Sequence, residues 1–212
     1  MQQRHVKNIH PDFFCDGPYY FLTSSSLGGS PFSPEDISDQ FLQSAEGVVS
    51  LLEQGIGLPL FFPTDCALDN GTRFVYGELS EQEQQNWLGK LTAKLKVPCG
   101  KVILLAGGGD AEHLARALAG ETPDPNFHFY DTFELPAGDY RVDLYCYLDS
   151  VNFAIECEAL ESDYRRHFAD IGIAYLFQFR PLEQEELHLP ELIDEIGWCG
   201  VFSYRPPNHV DL

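Results

Sequence analysis

The chain has 212 residues, of which 33 are acidic and 13 basic, so its net charge at pH 7 is −20. A field of this sign repels nucleic-acid phosphates and anionic membrane surfaces, and it attracts basic proteins. We therefore expect neither nucleic acid nor membrane as a partner. The hydrophobic fraction of 44%, with 13% aromatic residues, argues against an intrinsically disordered chain.

The sequence lacks an export signal, a membrane span and paired cysteines, and these absences predict the compartment of the protein and the redox state of its cysteines. Its first ten residues hold no apolar run of export-signal length, and no stretch reaches the ~18 to 20 consecutive apolar residues of a membrane span. We therefore expect a cytoplasmic protein. The six cysteines are widely and irregularly spaced and form no Cys-x-x-Cys pair, which predicts buried free thiols and no disulfides.

The length of the chain fits one domain that spans residues 1–212. Residues 1–32 are aromatic and turn-rich, and we expect the main body to cover 33–212. A helix signal opens that body. Ser33 can cap the helix, and apolar residues then recur at helical spacing as far as Gly55.

Strand patterns lie on both sides of a second predicted helix. Residues 58–62 and 73–79 flank an Asn-Gly turn, which predicts a β-hairpin. A capping box predicts a helix over 80–95. The segment 101–106, which is apolar after Lys101, predicts a strand that is buried on both faces.

The second half of the chain alternates between apolar and polar residues. This alternation at 127–133 and 141–148 predicts a second hairpin, and residues 173–179 predict a further strand. A polar helix is expected at 158–170 and a last strand near 198–204. Because helices are interspersed with hairpins, we predict an α+β fold, with a mostly antiparallel sheet and about four to five helices packed on it.

No catalytic, nucleotide-binding or metal-binding pattern is present. The glycines at 107–109 follow a strand but match neither the dinucleotide fingerprint nor the P-loop, so they predict a plain turn. His10 and Asp12 lie on a segment expected to be mobile. His128 and Asp131 fall on opposite faces of one strand, and no local group supplies the three or four ligands that a metal ion needs. The sequence therefore predicts no cofactor and no metal.

An enzyme whose site is assembled from separate loops stays open as the alternative, because such a site leaves no local pattern. A small hydrolase of this kind predicts a deep pocket that holds several of His10, Cys15, His128, Asp131 and His167. A subunit of an oligomer is a third alternative and predicts a large exposed apolar patch.

Two stretches are candidate binding surfaces. One face of the strand at 141–148 carries Arg141, Asp143, Tyr145 and Tyr147. These side chains could line a polar groove or an interface, although cross-strand pairing or a covering helix also accounts for them. The second stretch is 183–195, which contains six acids and no Lys or Arg and is either a partner-docking surface or a solvated face. Its acidic residues are Glu183, Glu185, Glu186, Glu191, Asp194 and Glu195.

Charge and the missing catalytic pattern together predict a non-catalytic binding protein for a basic protein partner. Bacterial immunity or inhibitor proteins that neutralise a basic toxin have a similar charge and size, and the likeness extends no further than that.

Overall fold

The computed structural model contains two six-stranded sheets and describes residues 4–183, 192–193, 198–199 and 202–207. Its strands are β1 (His5–Asn8), β2 (Tyr19–Ser24), β3 (Gly57–Phe61), β4 (Thr72–Tyr76), β5 (Gly89–Val97), β6 (Lys101–Ala106), β7 (Tyr130–Glu134), β8 (Gly138–Cys146), β9 (Tyr175–Pro181), β10 (Leu192–Ile193), β11 (Trp198–Cys199) and β12 (Ser203–Tyr204). Its helices are α1 (Pro34–Asp36), α2 (Ala45–Gln54), α3 (Glu81–Asn86), α4 (Ala111–Leu118), α5 (Val151–Glu156) and α6 (Glu161–His167).

The two sheets are mixed but mostly antiparallel. The first sheet has the order β1-β4-β9-β8-β5-β12, and the second has the order β10-β11-β3-β2-β6-β7. Among the strand pairs of the described residues, β4 with β9 and β11 with β3 are parallel and the others antiparallel. The prediction of an α+β fold with a mostly antiparallel sheet is confirmed, with six helices in the described part of the chain.

Aromatic rings fill the space between the two sheets. Phe133 of the second sheet lies 5.6 Å, between ring centroids, from both Phe74 and Phe179 of the first. Phe62, which follows β3, makes an edge contact with Tyr175 at 5.1 Å. Each ring buries a large apolar area, so these contacts are a main source of the attraction between the sheets.

Some parts of the sheets that face away from this core are also covered. The five residues 102–106 are buried on both faces of β6, which confirms the strand predicted at 101–106. A separate apolar cluster at the side of the first sheet contains Phe153 of α5 and Tyr164 of α6, together with Leu88.

The prediction of two hairpins is wrong, because each predicted pair is divided between the sheets. β3 belongs to the second sheet and β4 to the first, and the same holds for β7 and β8. The left-handed conformation of Gly71 (φ 71°) does turn the chain there. A tight turn fixes the local change of direction, whereas the choice of neighbouring strand depends on tertiary packing.

The helix predicted over 80–95 is also wrong in its second half. α3 ends at Asn86, and β5 then shows strictly alternating burial along its nine residues. Apolar residues at 91, 93, 95 and 97 face the core, which is the period-two pattern of a strand. The predicted first helix is likewise divided, since Ser44 caps α2 separately.

The turn-rich segment at 1–32 contributes strands that were not predicted. β1 pairs with β4 in the first sheet, and β2 lies between β3 and β6 in the second. The cysteine side chains that the structure describes are all free, as expected, but Cys66 and Cys99 are exposed.

Candidate protein-docking surface

Most of the acidity lies on the outside of the protein. Within the described ranges, four carboxylates are buried, namely Asp69, Glu83, Asp131 and Asp143. Three of them form ion pairs, in which Glu83 contacts Arg4 and Arg73, Asp131 contacts Lys7, and Asp143 contacts Arg141 and Arg180. Asp69 differs from these three because no ion pair to it occurs among the described residues.

Asp69 is held by neutral hydrogen-bond donors. Its carboxylate accepts hydrogen bonds from the backbone N–H of Cys15 at 3.4 Å and from the hydroxyl of Tyr20 at 3.3 Å. Both bonds are long. Burial raises the pKa of Asp69 above its ordinary value, and these bonds offset only part of that rise. An ionised Asp69 is therefore a buried negative charge without a positive partner in the described structure.

A surface pocket of about 420 Å³ opens beside this residue. Asp12 and Asp69 both line it, together with Phe14 and Asn126, and the described lining contains no Lys, Arg or His. Two carboxylates converge here from separate loops. The pocket is therefore suited to a positively charged group.

Two exposed aromatic side chains lie at this site. Phe14 is 39% exposed and Phe127 is 38% exposed, and their ring centroids are 5.9 Å apart in an edge-on arrangement. The N–H of Phe14 donates a hydrogen bond to the backbone oxygen of His128 at 3.1 Å, which joins the two loops. We call Phe14, Phe127 and the pocket of Asp12 and Asp69 the docking surface.

His10, Asp12 and His128 bring nitrogen and carboxylate atoms to within 4.8 Å of one another, although the sequence predicted scattered histidines. The two imidazole rings are stacked, with centroids 4.1 Å apart and planes only 5° from parallel. A metal ion binds a ring nitrogen in the plane of the ring, and parallel planes do not meet. The observed geometry is that of aromatic packing, and one ring would have to turn before both could bind an ion.

Of the five residues named for an enzyme site, the structure brings His10, His128 and Asp131 together. Cys15 is buried, and desolvation raises the pKa of its thiol to about 11, so the thiol stays protonated at neutral pH. The carboxylate of Asp131 accepts hydrogen bonds from the ammonium group of Lys7 and from the backbone N–H of His10. His167 lies exposed at the end of α6.

The first predicted binding surface consisted of Arg141, Asp143, Tyr145 and Tyr147. The structure buries three of these four side chains. Asp143 lies between Arg141 and Arg180 and accepts a hydrogen bond of 2.6 Å from the hydroxyl of Thr92. The other two buried residues are Tyr145, which donates a hydrogen bond to the side chain of Gln178, and Tyr147, which donates one to the backbone oxygen of Glu83. Of the four, only Arg141 reaches the surface, because Tyr145 and Tyr147 belong to a buried apolar cluster on which Trp87 packs.

The second predicted surface is mostly outside the described residues. Glu183 is exposed at the end of the first described range. Glu185, Glu186, Glu191, Asp194 and Glu195 lie outside the residues that the structure describes, and their role in binding stays a prediction.

The docking surface itself was not predicted from the sequence. Its members come from loops far apart in the chain, and their only local signal is the aromatic character of residues 13–14 and 127–129. No described helix combines the length and the apolar composition that crossing a bilayer requires.

Comparison with known proteins gives two remote structural likenesses. One is Crocagin biosynthetic gene J, with a TM-score of 0.46, 12% identity, and coverage of 86% of this chain and 100% of that one. The other is ComJ from Bacillus subtilis, an inhibitor of the DNA-degrading activity of NucA, with a TM-score of 0.36, 8% identity, and coverage of 85% and 96%. Both TM-scores and both identities are low, and neither likeness assigns a function to this chain. No protein-family model and no curated protein matches the sequence.

Proposed function

We propose that this chain is a non-catalytic binding protein that engages a positively charged protein through the docking surface. The observation that carries the proposal is the exposed Phe14–Phe127 pair beside a pocket with two carboxylates and no described cation. Interfaces commonly combine aromatic anchors with pockets that take up a complementary charged side chain.

The two parts of the docking surface have different roles in this proposal. Phe14 and Phe127 supply apolar area that a partner can cover. The pocket receives a Lys or Arg side chain, whose charge compensates the ionised form of Asp69. The net charge of −20 adds long-range attraction, which increases the association rate and weakens as salt is added.

The raised pKa of Asp69 gives the interaction a pH dependence of known sign. A partner cation favours the ionised carboxylate, whereas protonation removes the negative charge that attracts it. Binding is therefore strongest above the pKa of Asp69 and weakens as the pH falls through it. Because that pKa is raised, the loss begins at a higher pH than for an ordinary aspartate.

A capture experiment tests the proposal. The tagged chain is incubated with lysate of the source cells at low salt and at about 0.5 M salt, where charges more than a few ångströms apart are screened. We expect a basic protein, identified by mass spectrometry, to be retained at low salt and released at high salt.

Variants identify the surface that is responsible. Phe127→Ser and Asp12→Asn should each abolish or strongly reduce retention of that protein. Ile155→Ser is the control, because Ile155 is an apolar residue on α5 that is 50% exposed, more than the 38% of Phe127. If the same basic protein is retained by all three variants, or if none is retained by the unmodified chain, the proposed function is wrong.

A further inference from the structure

The outer face of the first sheet carries a row of three cations. Lys94 of β5 lies directly opposite Arg141 of β8, and Arg141 lies directly opposite Arg180 of β9. We call these three residues the cation row. Like charges at opposite positions of neighbouring strands destabilise a sheet, so a row of three has a cost in stability.

One carboxylate compensates part of this charge. Asp143 lies one pair of positions further along the same face and contacts both arginines, at 3.1 Å from Arg141 and 2.7 Å from Arg180. No ion pair to Lys94 or to the nearby Lys90 occurs in the described structure. Asp139 is a second carboxylate on this face, directly opposite Lys96. Among the described residues the outward positions of β5, β8 and β9 thus carry five cations and two carboxylates, an excess of positive charge in a protein whose net charge is −20.

Most of the basic side chains elsewhere are neutralised. Six of them form ion pairs with carboxylates, namely Arg4, Lys7, Arg73, Arg116, Arg165 and Arg166. The excess positive charge on the outer face of the first sheet is thus a local feature and not part of an even distribution.

An unsatisfied donor points to the same face. The Nε atom of Arg180 is buried and has no hydrogen-bond partner in the parts of the chain that the structure describes. A buried N–H group without an acceptor is costly, and an anion at the surface can accept from it once the guanidinium of Arg180, whose side chain is 39% exposed, turns outward. This observation is independent of the charge count.

We propose that the outer face of β5, β8 and β9 binds a compact multivalent anion, which the cation row holds. Neighbouring strands are about 4.8 Å apart, so the backbone positions of the three residues span about 10 Å, and their long side chains can converge on a smaller anion such as a diphosphate or a small polycarboxylate. Guanidinium groups recognise phosphate and carboxylate oxygens in pairs. Long polyanions are disfavoured, because the carboxylates over the rest of the surface repel them.

Titration calorimetry of the full chain with two probes tests this site and separates the two ligand chemistries. Pyrophosphate and citrate are titrated separately at low salt. Heat with pyrophosphate alone identifies a phosphate site, heat with citrate alone identifies a carboxylate site, and equal affinities indicate recognition by charge only. Each of these results supports the proposal, and the absence of binding by both probes overturns it.

A charge-matched pair of variants locates the site. Lys94→Gln removes a cation that has no described ion pair, so the fold should be retained. We expect it to weaken binding about tenfold, the loss of one charge-assisted hydrogen bond. Arg166→Gln removes the same charge from exposed α6 and should leave the affinity unchanged. Equal effects of the two variants would overturn the assignment. Neither variant touches the docking surface, so the outcome is independent of the proposed function.

Discussion

The substitution Asp143→Asn tests how the cation row is stabilised. Asp143 is fully buried, and its carboxylate accepts hydrogen bonds from Thr92, Arg141 and Arg180. Removing one partner of a fully buried ion pair costs about 3–5 kcal/mol. Here the two arginines left behind are 36% and 39% exposed, so water can solvate them. We therefore expect a loss of about 2–3 kcal/mol in the free energy of unfolding.

Denaturant unfolding followed by circular dichroism measures this loss, and thermal unfolding should show a decrease of about 5–10 °C in the melting temperature. Glu161→Gln is the control, because its ion pair with Arg165 is exposed on α6 and screened by solvent, so its loss should change the stability little. The reasoning is refuted if Asp143→Asn destabilises the protein no more than Glu161→Gln does.

A second variant separates charge from packing. Lys94→Gln should be more favourable for stability in the Asp143→Asn background than in the unmodified chain, because the cation row has then lost its carboxylate. A double-mutant cycle gives the coupling energy directly. A coupling energy of zero would show that the charges of the row do not interact appreciably.

Further predictions concern a cap, a close packing contact and acid unfolding. Ser44→Ala removes the side-chain acceptor at the start of α2 and should cost about 1 kcal/mol in denaturant unfolding. Gly57→Ala places a Cβ atom 2.3 Å from the ring of Phe21 and should cost at least about 1–3 kcal/mol in the same assay, because neither strand can move freely. Burial acts to raise the pKa of Glu83 and Asp143, but hydrogen bonds and nearby positive charges outweigh it and lower both. Their stabilisation is therefore present above the ordinary carboxylate pKa and is lost as the pH falls through the lowered values, which a pH series of unfolding curves should show.

The sequence predicted the fold class and several single elements because their signals are local. Residues 102–106 of β6 are all apolar, and a strand between two covered faces requires such a run. β5 was predicted as a helix although its alternation is regular. Leucines at 88, 91 and 95 also fit helical spacing, and the capping box of α3 favoured extending the helix through them.

The sites were harder to predict because both are formed by pairing between distant segments. Phe14 and Phe127 meet only because the two loops are joined by a hydrogen bond between backbone atoms. Arg141 was identified as a candidate, but the cation row also needs Lys94 and Arg180. Their positions opposite Arg141 follow from strand order and register, which a single sequence does not encode in any local pattern.

Net charge and local charge act over different distances, and this difference allows one chain to present surfaces of opposite sign. At physiological ionic strength the screening length is about 8 Å, so a ligand far from the protein responds to the net charge of −20. A ligand in contact responds to the few groups it touches. A basic protein is thus attracted at both distances when it approaches the docking surface. A small anion is repelled on approach and is held only at the cation row, where positive side chains outnumber their carboxylate. Added salt should therefore slow the association of the basic protein, because it screens an attraction. It should make the approach of the anion easier, because there it screens a repulsion.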